Sequence, residues 1–290
     1  MPRFHRRRLS VAALAPLAGL LGSFAAAPAS ATHSWAGMHW ARSSTLAIRL
    51  GDNVTTAWEP YLATASIDWT KAIRIDTLVA LGTRSPSSCS PTYGRVEVCN
   101  YNYGVTGWLG IASVWTQYGH IVQGTVKLND TYFASLSYNT PAWRRYVMCQ
   151  EIGHTFGLDH QDENHSNLNL GSCMDYTSDP SGLKGTNGTK SNEHPNAHDY
   201  DELNLIYAHV DGWQLSSTRA SVGATFGNLL AGREGASADP ALAQPGPADL
   251  KSLGRVAAVD SKGRGRVFVR QLGGGTEVTT FVLWAEPLDR

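Results

Sequence analysis

The chain has 290 residues, 24 acidic against 24 basic side chains, 42% hydrophobic residues and 29 glycines, enough to bury one good-sized core with a small appendage. A formal charge of zero lacks the basic face that binding nucleic acid through phosphate neutralisation requires, so no nucleic acid partner is expected. Beyond the N-terminal segment no run is long and apolar enough to cross a bilayer.

In chain order, the opening "MPRFHRRRLSVAALAPLAGLLGSFAAAPASA" has a basic start (Arg3, Arg6, Arg7, Arg8), an apolar middle and the small-residue end Ala29-Ser30-Ala31. That is the layout of a secretory signal peptide over residues 1–31, cut after Ala31. Pro16, Pro28 and the many Ala and Gly residues make it a poor anchor, so a secreted, extracellular protein with no stable membrane association after cleavage is expected. Ser44 to Leu50 has strand character, and Asn53 to Ala72 reads as an amphipathic helix whose apolar positions Trp58, Leu62, Ala65 and Trp69 fall at helical spacing and belong to a core. Ala72 to Leu81 then alternates as a strand, which makes a β-α-β opening.

Two short strands are predicted next, Leu109 to Trp115 and Ile121 to Leu128, turning at Tyr118-Gly119 with His120 at the surface. A second helix is predicted from Thr140 as N-cap and Pro141 at the first helical position, through "AWRRYVMCQEIGHTF" to Gly157. The polar, Asn-rich stretch from Gln161 to Asn196 reads as loop, and "HDYDELNLIYAHV" as a last helix with Leu203, Ile206 and Tyr207 on one face. Together these suggest a main domain over residues 32–216. An Ala/Gly/Pro-rich linker covers 217–252, and a C-terminal β-hairpin extension covers 253–290, alternating around a glycine turn. Whether the hairpin packs on the main domain is left open by the sequence, and no internal repeat is present.

All four cysteines, Cys89, Cys99, Cys149 and Cys173, lie in the exported part, where an even count suits disulfides. Of three possible pairings the expected one joins Cys89 to Cys99 around a short loop holding Pro91 and Gly94. It also joins Cys149 to Cys173, tying the second helix to the loop after it. A zinc site of four thiolates is the competing idea, and the absence of a CxxC pair disfavours it.

The chemistry concentrates in "CQEIGHTFGLDHQDE", Cys149 to Glu163. On a helix Gln150 and His154 project from one face, so two ligand atoms can converge on one ion. Glu151, turned by about 100° from Gln150, can reach a water on that ion without being a ligand. Gly157 can adopt the left-handed conformation that ends a helix, and the reversal carries His160 back as a third ligand.

The run from Gln150 to His160 resembles the metzincin metalloprotease pattern HExxHxxGxxH at every defined position but the first, where Gln150 replaces histidine. Cys173-Met174-Asp175-Tyr176 resembles the family's Met-turn, and "GWLGIASVW" the edge strand that pairs with extended substrate. The likeness covers about residues 40 to 210 and is nearest to secreted matrixin-like or snapalysin-like bacterial enzymes. It implies an α/β (α+β) zincin-like catalytic domain with a mixed twisted sheet, an active-site helix and a Met-turn at Met174. It implies a monomeric secreted endopeptidase that holds Zn2+ through Gln150, His154 and His160, with Glu151 as general base. Tyr176 would contact the zinc or the oxyanion, or else pack under the helix. A protein or peptide substrate would lie along Leu109, Gly110, Ile111 and Ala112.

Glutamine offers an amide oxygen in place of an imidazole nitrogen, a weaker donor than the usual zinc ligands. Structural zinc sites are worth roughly 10–16 kcal/mol, so a penalty of about 3 kcal/mol, a hundredfold, need not empty the site. A weaker donor also leaves more positive charge on the metal, which sharpens its action on a bound water. The opposing reading has Gln150 filling space in a decayed site, which would leave a catalytically inactive secreted homologue acting as a protein-binding module. His165, His194 and His198 are conceivable substitute ligands, each with a plainer role as an exposed or capping histidine. The acidic cluster Asp159, Asp162 and Glu163 could hold Ca2+, although it lacks the EF-hand pattern and also reads as a solvated loop.

Overall fold

A computed structural model describes Met1, residues 33–212 and residues 250–286. The signal segment, its cut and most of the predicted linker lie outside the described residues.

The elements are β1 (His39–Trp40), β2 (Leu46–Asn53), α1 (Glu59–Trp69), β3 (Ile75–Leu81), β4 (Arg95–Tyr101), β5 (Trp108–Gln117), β6 (His120–Asn129), α2 (Asp130–Phe133), α3 (Pro141–His154), α4 (Ala197–Ile206), β7 (Arg255–Val259), β8 (Gly265–Gly273) and β9 (Thr276–Trp284). The class is mixed α/β, as expected. One sheet runs in the order β3-β2-β4-β6-β5-β9-β8-β7, with β1 beside the start of β6. β2 pairs in parallel with β3 and β4, and β4 and β1 pair in parallel with β6. From β5 onward every pairing is antiparallel.

The predicted β-α-β opening is β2-α1-β3. Trp58, Leu62, Ala65 and Trp69 are all buried, as the helical spacing requires. The hairpin between β5 and β6 turns on Tyr118 at φ 51° and Gly119 at φ 84°, two left-handed residues whose twist matches that of the flanking strands. β4 is a strand that the sequence pattern does not announce. It sits at the centre of the parallel part, with Val96 to Asn100 buried.

One expectation is corrected and one that the sequence left open is settled. The strand expected at a sheet edge, β5, is an inner strand, because β9 pairs along its second side from Trp108 opposite Trp284 to Gln117 opposite Thr276. The predicted terminal hairpin is the β8–β9 pair, joined by β7 to make three strands that continue the main sheet. Local patterning marks the strands but not the partner, because an edge of backbone groups accepts any extended segment that reaches it.

α3 begins on Thr140, whose hydroxyl accepts from the Trp143 amide at 3.2 Å, with Pro141 at the first position. α1 packs across it, and the Trp69 indole donates to the Cys149 carbonyl at 3.1 Å. Gly153 makes this approach possible, since a Cβ there would meet Met174 Sδ at 2.6 Å and the Trp69 ring at 2.7 Å. Gly153→Ala is therefore expected to cost about 1–3 kcal/mol by overpacking, read as a lower midpoint in urea.

Both expected disulfides, Cys89–Cys99 and Cys149–Cys173, are formed. Cys149–Cys173 closes a loop that includes the whole metal motif. Replacing both cysteines by serine should cost about 3 kcal/mol through added freedom of the unfolded chain, measured by chemical denaturation. No helix among the described residues is long and apolar enough to cross a membrane.

Candidate metal centre

The last turn of α3 carries Gln150, Glu151 and His154, all fully or almost fully buried. His154 Nδ1 donates to the Leu158 carbonyl at 2.9 Å, which leaves Nε2 with its lone pair. Gly157 then adopts φ +98°, and a Cβ there would lie 2.1 Å from the Met38 carbonyl oxygen, so only glycine fits this reversal. The reversal brings the His160 ring to 4.6 Å from that of His154, at 88°. The two histidines foreseen as ligands thus meet.

Gln150 lies with them on the same helix. Its amide nitrogen donates to the Cys173 carbonyl at 2.8 Å and to Tyr146 Oη at 3.2 Å, which fixes the amide orientation and leaves Oε1 as the remaining acceptor. Gln150 Oε1, His160 Nε2 and Tyr176 Oη are buried with no hydrogen-bond partner, and the buried Glu151 carboxylate faces no side-chain donor, only the Ala112 backbone amide. A buried polar group left unpaired costs about 1–3 kcal/mol, so the three unpaired atoms of Gln150, His160 and Tyr176 call for a partner. One amide oxygen and two imidazole nitrogens form a donor set that a borderline cation such as Zn2+ accepts.

The electrostatics agree. Burial pushes the Glu151 carboxyl well above the usual carboxylate range. Burial lowers His154 to about 4 and pulls His160 well below the ordinary imidazole value, with His154 and Arg266 adding to the fall at His160. Both rings are therefore neutral near pH 7, the form that binds a metal.

The loop resembling a Met-turn lies against α3. Met174 is fully buried, and its carbonyl accepts from the Gln161 amide at 2.7 Å. The Tyr176 amide donates to the Asp162 carbonyl at 3.0 Å, so this loop is laced to the segment after His160. The Tyr176 ring lies 4.3 Å from that of His160 and stacks on His165 at 4.7 Å. Gly110 of β5 abuts the carboxylate, since a Cβ there would meet Glu151 Oε1 at 2.5 Å. Within β5, Gly110, Ile111 and Ala112 lie opposite Leu283, Val282 and Phe281 of β9, and Leu109 is the extra residue of a bulge.

The other histidines are engaged elsewhere. His165 faces Glu286 at 3.4 Å, His194 binds Asp68 at 2.6 Å, and His198 stacks on His33. The acidic cluster read as a calcium candidate is bridged by Arg266 of β8, with Nη1 at 2.6 Å from Asp159 and Nη2 at 2.7 Å from Glu163. Those two carboxylates share a guanidinium of the chain itself, while Asp162 Oδ1 accepts from the Asn164 amide at 2.6 Å.

Sequence reasoning missed three contributors. Asp199 is fully buried at the start of α4 and accepts from Gln161, Ser172 and the Asn196 amide, besides its contact with His33. It thereby joins the segment after His160 to the Met174 loop, and its only signal was its place in a capping box with Asn196. Phe281 of β9 stacks on His154 at 4.2 Å and 5°. Arg266 Nη1 donates to His160 Nδ1 at 3.4 Å, which puts the proton of the neutral ring on Nε2, so this contact must give way before Nε2 can hold a metal. Neither residue announces this role in a strand pattern.

No family model matches the chain, and no curated protein matches it. Among solved structures it is similar to myroilysin, with a TM-score of 0.33 and 10% identity over 58% of this chain and 82% of that one. It is similar to high choriolytic enzyme 1, a hatching enzyme zinc-protease from Oryzias latipes (medaka fish), with a TM-score of 0.33 and 12% identity over 59% of this chain and 94% of that one. Both likenesses are too remote to assign an activity, which rests on the site itself.

Proposed function

We propose that this chain is a secreted metzincin-type zinc endopeptidase in which Gln150 takes the place of the first histidine ligand. The observation that carries the reading is the set of buried, partnerless atoms on Gln150, His160 and Tyr176 beside the buried Glu151 carboxylate, where the motif's two histidines meet.

Gln150 Oε1, His154 Nε2 and His160 Nε2 would hold the zinc, with the Leu158 carbonyl fixing the tautomer of His154 and the Cys173 carbonyl fixing the rotamer of Gln150. Zinc bound there would polarise the scissile carbonyl and lower the pKa of the attacking water. Glu151 takes the proton from that water and passes it to the leaving amine. Tyr176 Oη stays protonated, since burial holds it well above its ordinary value, and is available to donate to the developing oxyanion. With β9 displaced, the β5 edge would align an extended peptide through backbone pairing that is largely indifferent to side chains, and Gly110 lets that strand come close to Glu151.

The test is cleavage of unfolded casein by zinc-loaded protein, both as the full chain and in a form with the β5 edge freed. Chelator is expected to stop the cleavage and added zinc to restore it. Folded, zinc-loaded protein that cleaves nothing in either form overturns the reading. The full burial of Glu151 and the double pairing of β5 favour a second reading, a secreted non-catalytic binding protein. That reading expects folded protein without zinc in the motif.

A further inference from the structure

We propose that β9 is an internal blocking strand. It holds the β5 edge in the way an extended peptide would, and Phe281 marks the position beside the metal ligands as a subsite for an aromatic side chain. The inference rests on the endopeptidase reading and concerns how that same site is regulated and filled.

Three observations converge on it. β9 runs antiparallel to β5 from Trp108 to Gln117 with one bulge at Leu109, so that edge faces this segment rather than a substrate. Phe281, opposite Ala112, is fully buried with its ring flat on His154. An aromatic side chain thus already fills the space next to a ligand ring. From the adjoining strand, Arg266 clasps Asp159 and Glu163 and places its guanidinium 3.4 Å from His160 Nδ1. That puts a positive charge beside a group meant to bind a cation. The C-terminal unit therefore touches both histidines as well as the strand. A tethered occupant acts at an effective concentration on the order of millimolar, so a free peptide at micromolar concentration competes poorly. If the strand leaves, it exposes an unpaired edge ready for an incoming peptide.

The test compares full-length proteins. Ser113 Oγ and Thr280 Oγ1 lie 2.9 Å apart across the β5–β9 seam, so a Ser113→Cys, Thr280→Cys pair can be oxidised to lock the strands. Thr280→Pro removes a backbone donor from β9 and loosens it. Each form is loaded with zinc and assayed on a fluorogenic peptide containing phenylalanine, while hydrogen exchange follows the amides from Gly110 to Val114. The locked pair is expected to be inactive and protected, and to gain activity on mild reduction. Thr280→Pro should exchange faster and cleave on the order of tenfold faster or more than the parent. Equal exchange and equal cleavage in the oxidised and reduced states of the pair overturn the inference, even if the proline variant does not fold. Faster exchange without cleavage of any peptide overturns the endopeptidase reading instead.

A separate cluster carries a second proposal. The geometry points to a further transition-metal site formed by His39, His209 and Asp211. His39 Nε2 lies 3.0 Å from His209 Nε2 and 3.4 Å from Asp211 Oδ1, and His209 Nε2 lies 3.1 Å from that same oxygen. Donors around a tetrahedral zinc with bonds of about 2.0–2.1 Å stand about 3.3 Å apart, so the triangle has the size of one face of such a site. His39 Nδ1 donates to the Gly37 carbonyl at 2.8 Å, which turns the lone pair of Nε2 inward. The Arg42 amide holds Asp211 Oδ2 at 2.8 Å and presents Oδ1 to the rings. His120 Nε2 reaches the same Oδ1 at 3.2 Å and orients the carboxylate. A bound ion would clamp β1 and the start of β6 to the segment after α4.

Zinc counted on the full chain should give two equivalents, falling to one in His209→Ala and in Asp211→Asn. A His154→Ala, His160→Ala protein should keep one equivalent and show tetrahedral cobalt(II) absorption bands. It should also melt higher with zinc than without. A count unchanged by His209→Ala and Asp211→Asn, or no zinc-dependent rise in Tm, overturns this site and leaves a histidine–aspartate hydrogen-bond network.

Discussion

Replacing Glu151 with glutamine is expected to lower kcat/KM for peptide cleavage by a factor on the order of 10² to 10⁴, the usual contribution of a positioned general base, while zinc binding persists. Glutamine keeps the shape beside Gly110 and removes only the charge and the ability to accept a proton. The same change has an opposite effect on the stability of the metal-free protein. Burial raises the Glu151 pKa in the folded state, so the folded chain binds this proton more tightly than the unfolded chain does. The stabilisation is complete below the unfolded carboxyl value and declines as pH rises through the folded one. Metal-free Glu151→Gln should thus melt higher than its parent at neutral pH, with the gap closing in acid. A variant that keeps a tenth or more of the parent's turnover would remove Glu151 from the proposed role.

The second large effect is expected at Gln150. If its amide oxygen is a ligand, Gln150→Ala should weaken zinc binding by on the order of a hundredfold, about 3 kcal/mol, as read by competition with a chromogenic chelator. It also strips donors from the Cys173 carbonyl and Tyr146 Oη, so a loss of about 1–3 kcal/mol of stability should accompany it. Gln150→His should move affinity the other way by a similar factor, since imidazole is the stronger donor. Equal zinc affinity in all three proteins would show that the residue only fills space.

Local chemistry was legible. The spacing of Trp58, Leu62, Ala65 and Trp69 gave α1 its buried face, Tyr118-Gly119 its hairpin, and Thr140-Pro141 the start of α3. The meeting of His154 with His160 followed from one glycine that can take positive φ. Long-range pairing was not legible. β4 is easily passed over because its alternation, Arg95-Val96-Glu97-Val98, lasts only four residues before Cys99 breaks it, and its burial on both faces comes from neighbours the pattern does not name. The segment Thr276 to Trp284 reads as a strand, yet nothing in its period says that it pairs with β5, more than a hundred residues earlier. Phe281 and Arg266 reach the centre only through that pairing. The Asn-rich stretch read as loop is loop, but an ordered one. Asn169 donates to the carbonyls of Asp179 and Lys190, and Asn187 to those of His165 and Asn167, in place of ladder bonds.

The measurement that bears most closely on the amide ligand is anomalous diffraction at the zinc edge from crystals of the full chain grown with zinc. The expected result is a peak bonded at once to Gln150 Oε1, His154 Nε2 and His160 Nε2, with the Gln150 nitrogen still on the Cys173 carbonyl. A peak held by the two histidines with the glutamine oxygen turned away, or no peak on α3 at all, would refute the amide as a ligand.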